Sequence, residues 1–205
     1  DPNDVIRAAA MMVSVADEFK GNNNFEYDLV DIVRQAIAEK GRLTEKVVEA
    51  AFAAGDKKLY KDASDRFLRL ILLQDELLAT RPEFKVGTWI ARARSLGGTP
   101  EEKELYEWNA RVQITTWGNR LAADEGGLRD YAHREWNGIL KDFYYMRWKA
   151  WFDYQTQLLD GKKPVAIDFY AIEEPWTKAT NVYSSEPEGD CIPTVKRIFV
   201  EIFGK

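Results

Sequence analysis

Apolar positions recur at helical spacing along almost the whole chain. A first segment runs from Val5 to Phe19 and stops at the turn cluster Gly21-Asn22-Asn23-Asn24. A second starts near Phe25, carries Tyr27, Leu29, Val30, Ile32, Val33, Ala36 and Ile37, and continues past a bend at Gly41 to Gly55. A third spans about 57–80. Its wide apolar face holds Leu59, Ala63, Phe67, Leu70, Ile71, Leu73, Leu77 and Leu78, and Pro82 marks its end. A shorter helix holds Trp89, Ile90 and Ala93 and stops at Gly97-Gly98.

The clearest start signal is Thr99-Pro100-Glu101-Glu102. Threonine caps, proline suits the first helical position, and glutamate three residues after the threonine completes a capping box. This helix is predicted to run through Leu105, Trp108, Val112 and Ile114 to about Trp117, with a loop from Gly118 to Glu125. Next, Leu128, Tyr131, Ala132, Trp136, Ile139, Leu140, Phe143, Trp148, Trp151, Phe152 and Leu158 predict one very long, aromatic-rich helix from Gly126 or Gly127 to Gly161. Two more helices are expected at about 168–179 and 193–203. No segment alternates as a strand would, and no linker or repeat divides the chain. The expected fold is all-α: one compact, bundle-like domain of about seven to eight helices over residues 1–205.

Composition narrows the functional classes. The chain has 205 residues and a net charge of −5, with no lysine/arginine stripe, so it carries no footprint for nucleic acid. No apolar run is long enough to cross a bilayer. Cys191 is the only cysteine and His133 the only histidine, which precludes an internal disulfide and a Cys/His metal site. Cys191 has no neighbouring histidine in sequence to activate it and reads as an unreactive thiol. The opening residues, Asp1-Pro2-Asn3-Asp4, lack an initiator methionine and a signal segment, and read as the start of an excised fragment.

The carboxylate pairs Glu101-Glu102, Asp124-Glu125 and Glu173-Glu174 are adjacent in sequence. Neighbouring helical residues point in different directions, so none of these pairs makes a catalytic dyad. A more specific pattern lies between Trp117 and Tyr131. An indole, an apolar side chain (Leu128) and a phenol meet at a helix–loop–helix junction, Leu128 and Tyr131 being expected on one helical face and His133 off it. Sugar C–H faces pack on aromatic rings, and a tyrosine hydroxyl adds a hydrogen bond, so the trio forms a candidate sugar-binding wall; ordinary helix packing is the plain alternative.

Three stretches resemble the C-terminal region of the α-N-acetylglucosaminidases of glycoside hydrolase family 89. They are Phe25 to Ala36; Trp108 to Gly118 with Leu128-Arg129-Asp130-Tyr131-Ala132; and Phe143-Tyr144-Tyr145-Met146-Arg147-Trp148. Val86-Gly87-Thr88-Trp89 and the tail from Tyr183 to Asp190 fit the same pattern, and the order holds over roughly residues 20–203. The resemblance implies a helical domain that docks on a catalytic barrel of the same polypeptide. The barrel would carry both catalytic glutamates, leaving this chain none, and the enzyme would release terminal α-linked N-acetylglucosamine with retention. It implies no metal or cofactor, and a parent protein exported to a periplasmic, extracellular or lysosomal compartment. Trp117, Leu128 and Tyr131 match the family's pocket residues, while 119–125 differs from its short Trp-Gly-Pro-Glu-Gly-type turn. Tyr27, Asp28 and Arg34 are further candidates for the cleft. Two other classes stay open on the residues alone: a helical protein-interaction module and a stand-alone carbohydrate-binding module.

Overall fold

Side-chain caps start most of the helices. The computed structural model describes residues 1–204. Helix α1 (Pro2–Ser14) begins on Asp1, whose carboxylate accepts the Asn3 N–H at 2.9 Å. Asn22 caps α2 (Asn23–Ala54) through the Phe25 N–H at 3.1 Å, and Asp56 caps α3 (Lys57–Ala79) through Leu59 N–H at 2.9 Å. Helix α2 passes Gly41 without interruption and ends at Gly55, whose φ of 68° closes the last turn. Helix α4 is Val86–Ser95. In α5 (Pro100–Gln113) the capping box is present as predicted: Thr99 Oγ1 accepts the Glu102 N–H at 3.2 Å, and Glu102 accepts the Thr99 N–H at 3.1 Å. Helices α6 (Arg120–Asp124), α7 (Tyr145–Leu159), α8 (Phe169–Thr177) and α9 (Cys191–Phe203) follow. No strand occurs among the described residues; the lone bridge is between Lys85 and Asn137.

The apolar faces close on two cores. In the larger one, α2 and α3 pack along their length, with α1, α7 and α9 around them; Leu29, Val33, Ile37, Leu73, Leu77 and Ile198 are essentially inaccessible there. Each such side chain contributes about 1.5–3 kcal/mol by leaving water. The smaller core joins α4, α5 and α8 through Val86, Ile90, Ile114, Ile139, Phe143 and Trp176. Trp136 and Tyr144 pack against both, so the segment between α6 and α7 joins the two cores.

Charged groups inside the smaller core fix the tail after α8. Arg111 is fully buried. It pairs with Glu107 at 2.7 Å, donates to the Asn181 carbonyl at 2.8 Å, and lies over the Trp176 ring at 4.9 Å and the Tyr183 ring at 5.4 Å. Buried Lys85 reaches Glu188 at 2.7 Å.

Four boundaries differ from the sequence expectation. Helix α1 ends at Ser14, and Ala16–Phe19 is a separate 3-10 turn, where one segment was expected to reach Phe19. Helix α5 stops at Gln113, not near Trp117. The loop expected at 118–125 contains the short α6, capped by Asn119. The long aromatic helix does not begin at Gly126: residues 125–138 are irregular, a π-helical turn occupies Leu140–Tyr144, and regular α-helix starts at Tyr145. Gly126-Gly127 therefore opens no helix, and Leu128 and Tyr131 share a turn, not a helical face.

Candidate functional site

The chain leaves α5 by a sharp reversal. Thr115 Oγ1 bonds back to the Arg111 carbonyl at 2.6 Å, and Trp117 takes φ 62° while its N–H closes on the Val112 carbonyl at 2.8 Å. This is a left-handed helix stop, a role that usually falls to glycine. For an L-residue the conformation costs about 1–2 kcal/mol. Thr115 and Thr116 are buried, whereas Trp117 keeps 40% of its surface exposed. The reversal is thus anchored beneath and presents its indole outward.

Beyond α6 the chain returns to the same place. Asp130, at φ 56°, donates its N–H to the Thr115 carbonyl at 2.7 Å, and the Tyr131 N–H turns back to the Leu128 carbonyl at 3.2 Å. The Tyr131 ring comes to rest 5.4 Å from the Trp117 ring at 51°. Tyr131 is 68% exposed and Leu128 37%. A tilted indole–phenol pair thus stands open on the surface, with exposed Leu128 in the same turn as Tyr131. Trp117, Asp130 and His133 are the residues other than glycine with positive φ among those described, and all three lie in this one region. Strain of this kind persists where the surroundings over-determine it, and it clusters at ligand-binding sites.

Three fasteners hold the irregular segment. The Asp130 carboxylate accepts the Tyr144 hydroxyl and the Arg147 Nη1 (2.9 Å). Glu135 Oε2 accepts Arg34 Nη1 and Gln74 Nε2, both at 2.9 Å. Asp75 receives Asn137 Nδ2 at 2.8 Å, the Gly138 N–H at 2.6 Å and the Lys141 N–H at 3.2 Å, and so caps the π turn from a distant helix. The partner strip is backbone: Asn137 N–H to the Phe84 carbonyl at 2.8 Å, and Val86 N–H to the Asn137 carbonyl at 3.1 Å.

Beneath the first fastener lies Glu173, fully buried on α8. Its Oε1 takes Arg147 Nε at 3.0 Å and Arg129 Nη1 at 3.4 Å, while Oε2 has no hydrogen-bond partner. Burial pushes its carboxyl above the ordinary glutamate value, against the pull of Arg147 and Arg129. Burial also raises the Tyr144 hydroxyl, and the Asp130 carboxylate beside it adds to the effect, so this phenol remains a proton donor.

The structure brings the Trp117 and Tyr131 rings together and ties Leu128 to Tyr131 through a backbone turn, while Tyr27 and Arg34 take other partners. Tyr27 stacks on Phe84 at 5.1 Å, and the Arg34 guanidinium lies 5.9 Å from the same ring while pairing with Asp31 and Glu135. Both thus brace the end of the irregular segment. Asp28 is exposed on α2. His133, expected to point off a helical face, lies in no helix and takes φ 45°. Cys191 is buried, and its thiol is pushed up to about 11 by that burial. No group of three or more potential metal ligands occurs among the described residues.

Sequence reading missed the Asp130–Arg147–Glu173 chain. Asp130 was visible beside Tyr131, but its partners come from two later helices. Periodicity carries no signal for such pairing.

The family model described as the alpha-N-acetylglucosaminidase (NAGLU) C-terminal domain matches residues 1–201. The human alpha-N-acetylglucosaminidase is 26% identical over 207 residues, an alignment spanning 98% of this chain and 27% of the human protein. A family 89 glycoside hydrolase from Clostridium perfringens, solved in complex with 2-acetamido-1,2-dideoxynojirmycin, superposes with a TM-score of 0.93 at 36% identity, over 99% of this chain and 24% of that one. A second structure from Clostridium perfringens, in complex with its substrate GlcNAc-alpha-1,4-galactose, gives a TM-score of 0.92 at 36% identity, over 98% and 24%. This chain therefore spans about a quarter of the length of its relatives.

Proposed function

Because this chain belongs to the family of α-N-acetylglucosaminidase C-terminal domains of glycoside hydrolase family 89, we propose that it docks on a catalytic barrel of the same polypeptide and supplies one wall of the pocket for the terminal N-acetylglucosamine. The observation that carries this reading is the Trp117–Tyr131 pair. Two rings meet at 5.4 Å across two separate chain reversals, Tyr131 largely and Trp117 partly exposed, Trp117 itself at left-handed φ and Tyr131 directly after Asp130, which is too. Exposure alone does not single the pair out, since Trp108 is equally open; the pairing of the rings across strained reversals does.

The chemistry follows from the surface offered. The indole and phenol faces take the apolar C–H side of a pyranose, Leu128 extends that contact, and the Tyr131 hydroxyl donates to or accepts from a ring hydroxyl or the acetamido group. The wall binds and orients, and the bond-breaking groups lie on the barrel: one carboxylate attacks the anomeric carbon while a second acts first as acid and then as base. Fixing the sugar between rigid surfaces lowers the entropic part of that barrier. The compartment follows the parent enzyme, an exported or lysosomal one.

Replacing Tyr131 with alanine in the full-length enzyme tests the reading. Kinetics on an aryl α-N-acetylglucosaminide should show KM raised on the order of tenfold, the worth of a stacking contact of about 1–1.5 kcal/mol. Unchanged KM and kcat would remove Tyr131 from the pocket.

A further inference from the structure

Asp130 has every polar group of its backbone turn and side chain engaged, yet it touches neither ring of the wall through them. Its N–H holds the Thr115 carbonyl at 2.7 Å, two residues before Trp117, and Tyr131 follows it directly in the chain. Its two carboxylate oxygens are taken by separate donors on adjoining elements: Tyr144 Oη on Oδ1 and Arg147 Nη1 on Oδ2 at 2.9 Å. Tyr144 ends the π turn and Arg147 lies in the first turn of α7. Turns of π helix recur at functional sites because they re-aim side chains. Here the turn sets a hydroxyl and a guanidinium side by side, spaced for one carboxylate. Arg147 has a second hold, its Nε on the buried Glu173 Oε1 at 3.0 Å.

Building on the sugar-wall reading, we propose that Arg147, acting through Asp130, is the positioning residue that sets the Trp117–Tyr131 wall. Asp130 joins the two reversals: its backbone grips the Trp117 side and its chain neighbour is Tyr131. Left-handed φ at both Trp117 and Asp130 must be held against relaxation, and the Arg147–Asp130 and Tyr144–Asp130 bonds supply that hold. Arginine is required because separate N–H groups of one planar fork address two carboxylates at once. A lysine keeps the charge but reaches only one of them. The carboxylate of Asp130 has only 13% of its side chain exposed, so water does not readily replace the lost donor.

Two conservative variants of the full-length enzyme test this: Tyr144→Phe, which keeps the ring that packs in both cores, and Arg147→Lys. Each is followed by steady-state kinetics on an aryl α-N-acetylglucosaminide and by fluorine NMR of 5-fluorotryptophan-labelled protein, the Trp117 signal being assigned by its disappearance in Trp117→Phe. Both variants should shift or broaden the Trp117 signal while the other indole signals stay, and raise KM on the order of tenfold with kcat within about threefold. Asp130→Asn should retain more of the wild-type KM than Asp130→Ala, because its amide oxygen still accepts from one donor. A Trp117 signal and KM both unmoved in Arg147→Lys would overturn the proposal. So would movement of all indole signals together with a fall in melting temperature, which marks a network that merely holds the fold. A Trp117 signal displaced with KM unchanged, in an enzyme that also tolerates Trp117→Ala, leaves the positioning role standing and sinks the sugar reading alone.

Discussion

The Asp130 N–H donates to the Thr115 carbonyl at 2.7 Å, and this one backbone bond sets the turn after α5 against the turn after α6. Trp117 and Tyr131 meet because of it. Each has an exposed ring, and each ring is mounted on backbone that is buried or bonded beneath it. Four consequences are open to measurement.

The capping box of α5 should be worth a measurable part of the domain's stability. Thr99→Ala removes the acceptor for the Glu102 N–H. The Glu102 carboxylate keeps its half of the box, because it receives the backbone N–H groups of Gly98 (2.7 Å) and residue 99 (3.1 Å). The expected loss is about 1 kcal/mol, or roughly 2–4 °C in melting temperature for a domain of this size. Thermal unfolding followed by circular dichroism checks it.

Gly138 stands at φ 91°, where the Asn137 strip enters the π turn. A Cβ there would come within 2.8 Å of both Tyr183 and Val86 side chains, in the smaller core. Gly138→Ala therefore meets strain in the backbone and overpacking at once, together about 2–4 kcal/mol. Denaturant titration of the variant should show a lower midpoint with an unchanged slope; a midpoint equal to wild type would contradict the close approach.

Cys191 should resist alkylation while the domain is folded. Its thiol is pushed up to about 11, so the folded state favours the neutral form. That preference contributes stability fully below the unfolded thiol value of about 8.5, and it is lost as pH rises through the folded value. At pH 8 the thiolate population, and with it the iodoacetamide rate, should be on the order of a hundredfold below that of the unfolded chain. Mass spectrometry of native and denatured samples reads the ratio directly. Equal rates would show an accessible, ordinary thiol.

How much of this was legible in the sequence depends on what kind of interaction set each element. The starts of α2, α3 and α5 and the end of α2 were readable because local chemistry sets them: Asn22, Asp56 and Thr99 cap, Gly55 stops, and Leu70, Leu73 and Leu77 repeat with the helix. Residues 125–138 were not. Leu128, Tyr131, Ala132, Trp136 and Ile139 copy helical spacing, yet Asp130 and His133 take left-handed φ. Those conformations are imposed from afar, through Arg147 on Asp130, Arg34 and Gln74 on Glu135, and Asp75 on Asn137. A periodicity reading sees only neighbours along the chain. The ring pair was found for a partly mistaken reason: Leu128 and Tyr131 share a turn, not a helical face. The motifs that carried the family resemblance divide in two. Arg111, Tyr183 and Glu188 serve the smaller core and its tail, while Trp117, Asp130 and Tyr131 build the exposed wall.

The most direct measurement is Trp117→Ala in the full-length enzyme, with activity and melting temperature read on the same sample. Because the indole is 40% exposed and the turn beneath it is held by Thr115 and Val112, the melting temperature should stay within about 2–4 °C of wild type. The kcat/KM on an aryl α-N-acetylglucosaminide should fall on the order of tenfold or more. Full activity, or activity lost only in proportion to folded protein, would contradict the sugar-wall reading.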